Sequence, residues 1–231
     1  MTTRSLEEIV NSLDKETLIK LLCQQAYRDT HLKAMLVAKY GTQAHLVTKD
    51  EYKTLIREML HSGMDRHGLI DFRNVGEVMN GVDDLLSQAK SLEEKHDILR
   101  ALPIAQAAIE ELVPALQYAD DDGDIGGTID EAFELLEAIA TQLNAENGEE
   151  FFQYCLKESR SKAYEGWDYH WQFLEIAGLV AKTPEQQQKL FDLLDTFAEK
   201  GKRSSTRDYD QERIAKIKLN LKNLRLNMPK K

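Results

Sequence analysis

The sequence contains little cysteine and little proline, and each scarcity excludes a class of protein. Its 231 residues include two cysteines and four prolines. Cys23 and Cys155 both lie in apolar helical patterns, so we expect two buried free thiols and no disulfide framework. Four prolines and twelve glycines leave little room for long disordered linkers.

Long apolar runs are missing as well. No stretch approaches the roughly 18 consecutive apolar residues that a transmembrane helix requires. The first ten residues, MTTRSLEEIV, lack the apolar segment of a secretory signal. We therefore expect a cytoplasmic protein that does not bind a membrane.

Basic residues are absent from the middle of the chain. Between residues 101 and 156 there are 13 Asp and Glu but no Lys or Arg. Residues 199–231 reverse this balance with 11 basic and 4 acidic residues, although the whole chain has a net charge of −10. Such asymmetry is typical of two regions that dock on each other, or of regions that bind separate partners.

No segment alternates apolar and polar residues over the length of a β-strand, whereas helical spacing recurs throughout. One apolar stripe runs from Ile129 to Leu143 at intervals of three and four residues. A Ser or Thr followed three residues later by Glu or Gln is a helix-capping pattern. It occurs at Ser5–Glu8, Thr48–Glu51, Ser91–Glu94, Thr128–Glu131 and Thr183–Gln186. The sequence therefore predicts an all-α fold.

The predicted helices are joined by short connections, which favour antiparallel neighbours. They cover residues 6–12, 15–27, 30–40, 49–61, 73–89, 92–101, 104–118, 129–144, 149–162, 168–180, 185–199 and 209–226. We expect helical hairpins stacked as a multi-helix bundle or a short irregular α-solenoid. The predicted domains are a small N-terminal helical unit at 1–61, a connector at 62–71, a main helical domain at 72–200, and a basic C-terminal helix and tail at 201–231.

An Asp-rich stretch, YADDDGDIGGTIDEAFELL from Tyr118 to Leu136, has half the features of a calcium loop. Counted from Asp120, the carboxylates of Asp120, Asp122, Asp124 and Glu131 fall at ligand positions 1, 3, 5 and 12 of an EF-hand. However, the glycine required at position 6 is replaced by isoleucine, and a shift of two residues puts phenylalanine at position 12. We favour a solvated turn in which Thr128 caps the next helix, and keep the four carboxylates as the alternative cation site.

Motifs for catalysis and cofactor binding are missing. The six histidines form no metalloprotease or zinc pattern with one another or with cysteine; they are His31, His45, His61, His67, His96 and His170. The sequence contains no Gly-rich phosphate loop, no dinucleotide-binding fingerprint and no nucleophile elbow. We therefore expect no enzymatic activity and no cofactor.

Aromatic residues are concentrated in one short segment, EGWDYHWQF, which contains Trp167, Tyr169, His170 and Trp171. Aromatic side chains at helical spacing usually pack in a core. They are also enriched among the residues that dominate protein interfaces. Both interpretations stay open, and the second makes these four residues the candidate partner-binding site.

The C-terminal segment combines an apolar stripe with basic residues. Ile214, Ile217, Leu221 and Leu224 alternate with Lys216, Lys218, Lys222 and Arg225. The pattern predicts an amphipathic helix that packs on the preceding helices and faces the acidic region at 101–156. The alternative is that the four basic residues bind nucleic acid.

Two segments, LIDFRNVGEVMNGVDDLLSQAKSL and ALPIAQAAIEELVPALQYADDDGDIGGTIDEAFELLEAIA, resemble the helical region that follows the zinc finger in bacterial SWIM-type zinc finger proteins. DYHWQFLEIAGLVA is similar to later helices of that family, so the resemblance covers roughly residues 69–180. It implies a helical domain without a defined activity. With two cysteines the sequence lacks the finger itself, so nucleic-acid binding through a finger is not implied.

These observations favour a non-enzymatic helical scaffold or adaptor. We expect it to bind another protein through an acidic and aromatic surface built by residues 101–180. The alternative function is nucleic-acid association through the basic C-terminal helix. The oligomeric state stays open.

Overall fold

The computed structural model describes residues 5–29, 32, 33, 36, 48–164, 166–201 and 207–226, with backbone alone at 200–201, 207–208 and 223–226. The described residues form ten α-helices and no β-strand, which confirms the all-α prediction. The helices are α1 (Leu6–Asn11), α2 (Lys15–Ala26), α3 (Lys49–Ser62), α4 (Phe72–Glu94), α5 (Ile98–Ala115), α6 (Asp124–Gln142), α7 (Ala145–Glu158), α8 (Tyr169–Val180), α9 (Pro184–Gly201) and α10 (Arg207–Leu226), with a 3₁₀ helix at Lys162–Tyr164. The predicted helix at 30–40 falls mostly outside the described residues.

Three of the five predicted capping patterns form. Ser5 caps α1 and Thr48 caps α3, and in each case the Glu three residues later accepts a hydrogen bond from the capping residue's N–H. At the start of α9, the Thr183 hydroxyl accepts from the Gln186 N–H at 3.2 Å, and the Gln186 side chain accepts from the Thr183 N–H at 2.9 Å. These pairs satisfy N–H groups that a helix start leaves without a partner.

Two predicted helix starts are wrong. Ser91 lies inside α4, which runs on to Glu94 because Ala89 is buried and Leu92 packs against the core. Thr128 lies inside α6, one turn beyond its first residue, and its hydroxyl donates to Asp83 Oδ1 on α4 at 3.0 Å. The break predicted between the helices at 92–101 and 104–118 is also absent, since α5 runs from Ile98 to Ala115 with Pro103 inside it.

Two helices organise the core. Helix α5 contacts α3, α4, α6 and the 3₁₀ helix, and α8 contacts α6, α7, α9 and α10. Small side chains on α5 let its neighbours approach closely; the buried alanines are Ala101, Ala105, Ala107, Ala108 and Ala115. The buried side chains from Tyr52 to Leu221 form one contiguous cluster, so α3 shares the core with α4 and α5 although we assigned it to a separate N-terminal unit.

The predicted connector at 62–71 is attached to the core. Ile70 is 1% exposed. Its N–H donates to the Tyr118 carbonyl at 3.0 Å, and its own carbonyl accepts from the Asp120 N–H at 2.8 Å. These bonds fix the connector beside the loop that joins α5 to α6.

Helices α1 and α2 bury none of their residues. As a result Cys23, expected to be buried, is an exposed free thiol, whereas Cys155 is a buried free thiol as expected. Within the described part of the chain, no helix combines the length and the apolar composition needed to cross a bilayer.

Candidate partner-binding groove

A groove of about 810 Å³ lies between α6, α8 and α10. It is lined by Asp130, Phe133, Glu134, Glu137, Gln172, Glu175, Ile176, Gly178, Leu179, Arg213, Lys216, Ile217 and Asn220. The acidic middle of the sequence and the basic C-terminal helix therefore meet at this groove. This arrangement agrees with the expectation that the basic helix faces the acidic region.

The floor of the groove is apolar. Phe133, Ile176 and Ile217 are each no more than 3% exposed, so their main role is in the core. Leu179 is 39% exposed and offers apolar surface to solvent. Of these four residues, Leu179 therefore offers a partner the most apolar surface to contact.

One wall of the groove carries acidic side chains of α6. Asp130, Glu134 and Glu137 are exposed and lie at i, i+4 and i+7, which places them on one face of the helix. No ion pair joins any of them to a cation among the described residues. On α8, Glu175 forms a 3.8 Å ion pair with Lys216. The lining has four carboxylates and two cations, a net formal charge of −2.

Helix α10 forms the opposite wall. The apolar stripe that the sequence predicts holds this helix in place. Ile214, Ile217 and Leu221 are buried against α8 and α9. Of the four candidate nucleic-acid residues, Lys216 pairs with Glu175 and Lys218 with Asp195 of α9. Lys222 is exposed. The side chain of Arg225 lies outside the described residues.

The aromatic segment is divided between core and surface. Trp171 is 2% exposed and packs against Phe197, so its burial removes it from the candidate partner-binding set. His170 stacks on Phe197 with ring centroids 5.5 Å apart, and burial lowers the pKa of its imidazole. Both residues therefore fix α9 on α8.

Trp167 and Tyr169 extend from the groove towards solvent. Tyr169 stacks on Phe133 of the groove floor, with centroids 5.6 Å apart and planes 12° apart. Trp167 is 38% exposed and stacks on Tyr169 at 6.4 Å. Burial, together with the charges of Asp130 and Asp121, raises the pKa of Tyr169. An aromatic ladder, which we define as Phe133, Tyr169 and Trp167, therefore begins at the Asp130 end of the groove.

The candidate cation site does not form. Helix α6 begins at Asp124, so Asp124 and Glu131 are seven residues apart on one helix, about 10 Å along its axis. Calcium ligands lie at about 2.3–2.6 Å from the ion, too close for these two side chains to share one. Across the described residues, no three or more His, Cys, Asp or Glu side chains are grouped to hold a metal ion.

The residue that caps α6 is Asp121. Its carboxylate accepts from the backbone N–H groups of Gly123, Ile125 and Gly126 at 3.2, 2.9 and 3.3 Å. The sequence predicts Thr128 as the cap of this helix, and Asp121 takes that place instead. The left-handed backbone of Gly123, with φ at 122°, turns the chain so that Asp121 reaches these donors.

Replacing Asp121 with Ala is expected to lower the free energy of unfolding by about 1 kcal/mol, because three N–H groups of the α6 start lose their acceptor. The measurement is equilibrium urea denaturation. Asp122→Ala is the matched control, since Asp122 is exposed and has no hydrogen bond within the described residues. An equal effect of the two variants would contradict the assignment of the cap.

A second group of polar side chains lies where α3, α5 and α7 meet. Glu110 of α5 accepts from Lys49 and Lys53 of α3, both at 2.7 Å, and the Lys49 ammonium lies 4.9 Å from the centre of the Tyr154 ring. Tyr164 donates to Glu158 at 3.3 Å, and burial raises the pKa of its phenol.

The contacts of these polar side chains stabilise the fold. Burial also raises the pKa of the Cys155 thiol and of the Tyr154 phenol. Because the thiolate is the nucleophilic form of cysteine, a raised pKa leaves Cys155 unreactive at neutral pH. The ion pairs of Glu110 with Lys49 and Lys53 hold α3 on α5.

Comparisons with known proteins add no further assignment. No protein-family model matches the sequence, and no curated protein or solved structure gives a significant match. The resemblance to the helical region of SWIM-type zinc finger proteins stays a prediction. The groove is therefore the basis for the proposed function.

Proposed function

We propose that this chain is a non-enzymatic helical scaffold of the cytoplasm that binds another protein in the groove between α6, α8 and α10. The observation that carries the proposal is the combination of an apolar floor with an acidic wall on α6. Asp130, Glu134 and Glu137 have no cation partner among the described residues, although a basic helix forms the opposite wall. A partner with basic side chains would supply the missing charge.

The floor and the wall contribute to binding in different ways. Apolar anchors of the partner would contact Leu179 and the exposed edge of the aromatic ladder, where Trp167 offers the largest exposed ring. The acidic wall would attract a basic partner at a distance and increase the association rate. Because salt screens such exposed charges, association should slow as ionic strength rises.

Nucleic acid is the less favoured partner. Two of the four candidate basic residues, Lys216 and Lys218, pair with carboxylates of the same chain. The neighbouring acidic wall would repel phosphate groups, whose neutralisation supplies much of the affinity for nucleic acid.

Capture of proteins from native lysate tests the proposal through a charge-reversed groove. We expect Glu134→Lys combined with Glu137→Lys to lose the proteins that the unmodified chain retains, with or without nuclease. The matched control is Glu131→Lys combined with Glu150→Lys, which changes the net charge equally at exposed positions outside the groove lining. We expect the control to retain the same proteins.

Two results would contradict the proposal. The groove variant and the control variant could retain the same proteins, which would place the binding surface elsewhere. Nuclease treatment could remove every retained protein, which would favour the nucleic-acid alternative.

A further inference from the structure

We infer that the occupant of the groove is an amphipathic α-helix of the partner protein, with apolar residues on one face and basic residues along the adjacent flank. This inference rests on the proposed function and specifies the chemistry of the partner. Its evidence comes from the helical walls of the groove, the spacing of the acidic side chains, and the packing of the chain's own basic helix on α8 and α9.

The surface around the groove favours a helical occupant over a β-strand. A peptide in the β conformation is recognised through hydrogen bonds to an exposed sheet edge, and the described residues contain no strand. The groove walls are helices, whose ridges and grooves of side chains accept another helix at interaxial distances of about 8–10 Å.

The acidic wall gives the occupant a spacing. Asp130, Glu134 and Glu137 lie at i, i+4 and i+7 on α6, so their carboxylates extend over about 10 Å of the helix axis. A helix lying along α6 meets them with Lys or Arg at the same intervals. The apolar residues of that helix, which lie on the face next to its basic residues, then contact Leu179 and the groove floor.

The chain's own C-terminal helix shows that the adjoining surface of α8 and α9 accepts such a helix. Helix α10 carries basic residues beside the stripe of Ile214, Ile217 and Leu221, and it buries that stripe against α8 and α9. Lys216 neutralises Glu175 on the floor side of the groove. Asp130, Glu134 and Glu137 of α6 have no such ion pair among the described residues. A second basic helix beside α10 would pair with them as Lys216 pairs with Glu175.

A labelled peptide tests the inference directly. The probe is a fluorescein-labelled designed peptide of about 18 residues, long enough to form a helix, with Leu at intervals of three and four and Lys at i, i+4 and i+7 on the adjacent flank. Fluorescence anisotropy measures its dissociation constant for the full chain. We expect saturable binding that weakens about tenfold for Glu134→Lys combined with Glu137→Lys, because both attractions become repulsions.

Three controls determine what is recognised. The Glu131→Lys and Glu150→Lys double variant should bind the peptide as the unmodified chain does. A peptide with Glu in place of each Lys should bind at least about tenfold more weakly. A peptide with proline at its centre, which cannot form a continuous helix, should also lose affinity.

Each contrary result overturns the inference, and the lysate experiment shows whether the scaffold proposal falls with it. Equal binding of the proline peptide would indicate an extended occupant, and equal binding of the acidic peptide would remove the charge argument. If no peptide binds but the groove variant still loses its captured proteins, the helical occupant is wrong and the scaffold stands. If the groove variant also retains those proteins, both are wrong.

Discussion

Replacing Phe173 with Ala is expected to lower the free energy of unfolding by about 3–5 kcal/mol, the range for removal of a fully buried aromatic ring. Phe173 of α8 is 0% exposed. Its ring meets those of Phe133, Tyr154 and Tyr164, with centroids 5.0, 5.9 and 5.2 Å away. It therefore joins α8 to α6, to α7 and to the 3₁₀ helix, and the three surrounding rings leave little freedom for the cavity to collapse.

Equilibrium denaturation in urea measures this loss, with Phe72→Ala as the matched control. Phe72 is 58% exposed at the start of α4, so the same chemical change there should alter stability by no more than about 0.5 kcal/mol. Phe173→Leu keeps most of the apolar volume and should fall between the two. If Phe173→Ala unfolds at the same denaturant concentration as Phe72→Ala, the ring is not a central contact of the core.

The position of Phe173 in the core also bears on the groove. Phe133, which Phe173 contacts edge-on, lies in the groove floor and supports Tyr169 and Trp167. A cavity at Phe173 would therefore loosen the aromatic ladder as well as the core. If the proposed partner binds in the groove, its binding and the stability of the core are coupled through this one ring.

The all-α fold and several helix starts could be predicted from the sequence, because apolar periodicity and capping depend on residues close together in the chain. Ser5, Thr48 and Thr183 each start a helix through contacts that span three residues. The pattern at Ser91 is equally good locally, but burial of Ala89 and packing of Leu92 continue α4 through it. Tertiary packing outweighs a cap that contributes about 1 kcal/mol.

The start of α6 shows a second limit. Asp121 and Thr128 are both good capping residues, and the sequence does not indicate which one a helix uses. In the structure the Thr128 hydroxyl lies 3.0 Å both from Asp83 Oδ1 on α4 and from the Asp124 carbonyl, and both acceptors favour a helix that already includes Thr128. The contact with Asp83 spans 45 residues and leaves no local signal.

The groove could be predicted only in part. The stripe of Ile214, Ile217 and Leu221 and the acidic surface at 101–156 were both visible in the sequence, and so was their opposite charge. The part that α8 plays in the groove was not visible in the sequence, because periodicity shows which face of a helix is apolar but not which other helix covers that face. Glu175 and Leu179 of α8 therefore had no sequence signal as groove residues.

Replacing Glu110 with Ala is expected to lower the free energy of unfolding by about 3 kcal/mol, at the lower end of the range for removing one member of a buried ion pair. The Glu110 side chain is 10% exposed and pairs with Lys49 and Lys53, which are 28% and 24% exposed. Without it, Lys49 is left half-buried, and among the described residues Lys53 retains only Glu111, at 3.6 Å. Glu58→Ala is the matched control, because its 2.7 Å pair with Lys33 is over 40% exposed at both side chains and should contribute about 1 kcal/mol or less.

The pH dependence of this loss of unfolding free energy separates the contribution of the Glu110 charge from the contribution of packing. Burial alone would raise the pKa of Glu110, but the hydrogen bonds and charges of Lys49 and Lys53 outweigh burial and lower it from the ordinary value of 4.5. The folded protein thus binds this proton more weakly than the unfolded chain does, so the stabilisation is complete above that value and is lost as the pH falls through the lowered pKa. Urea denaturation measures the free energy of unfolding of the unmodified chain and of Glu110→Ala. The difference between these two free energies should be constant from neutral pH down to 4.5 and should become smaller below that pH. A difference that stays constant under acid conditions would show that Glu110 acts through packing instead of charge.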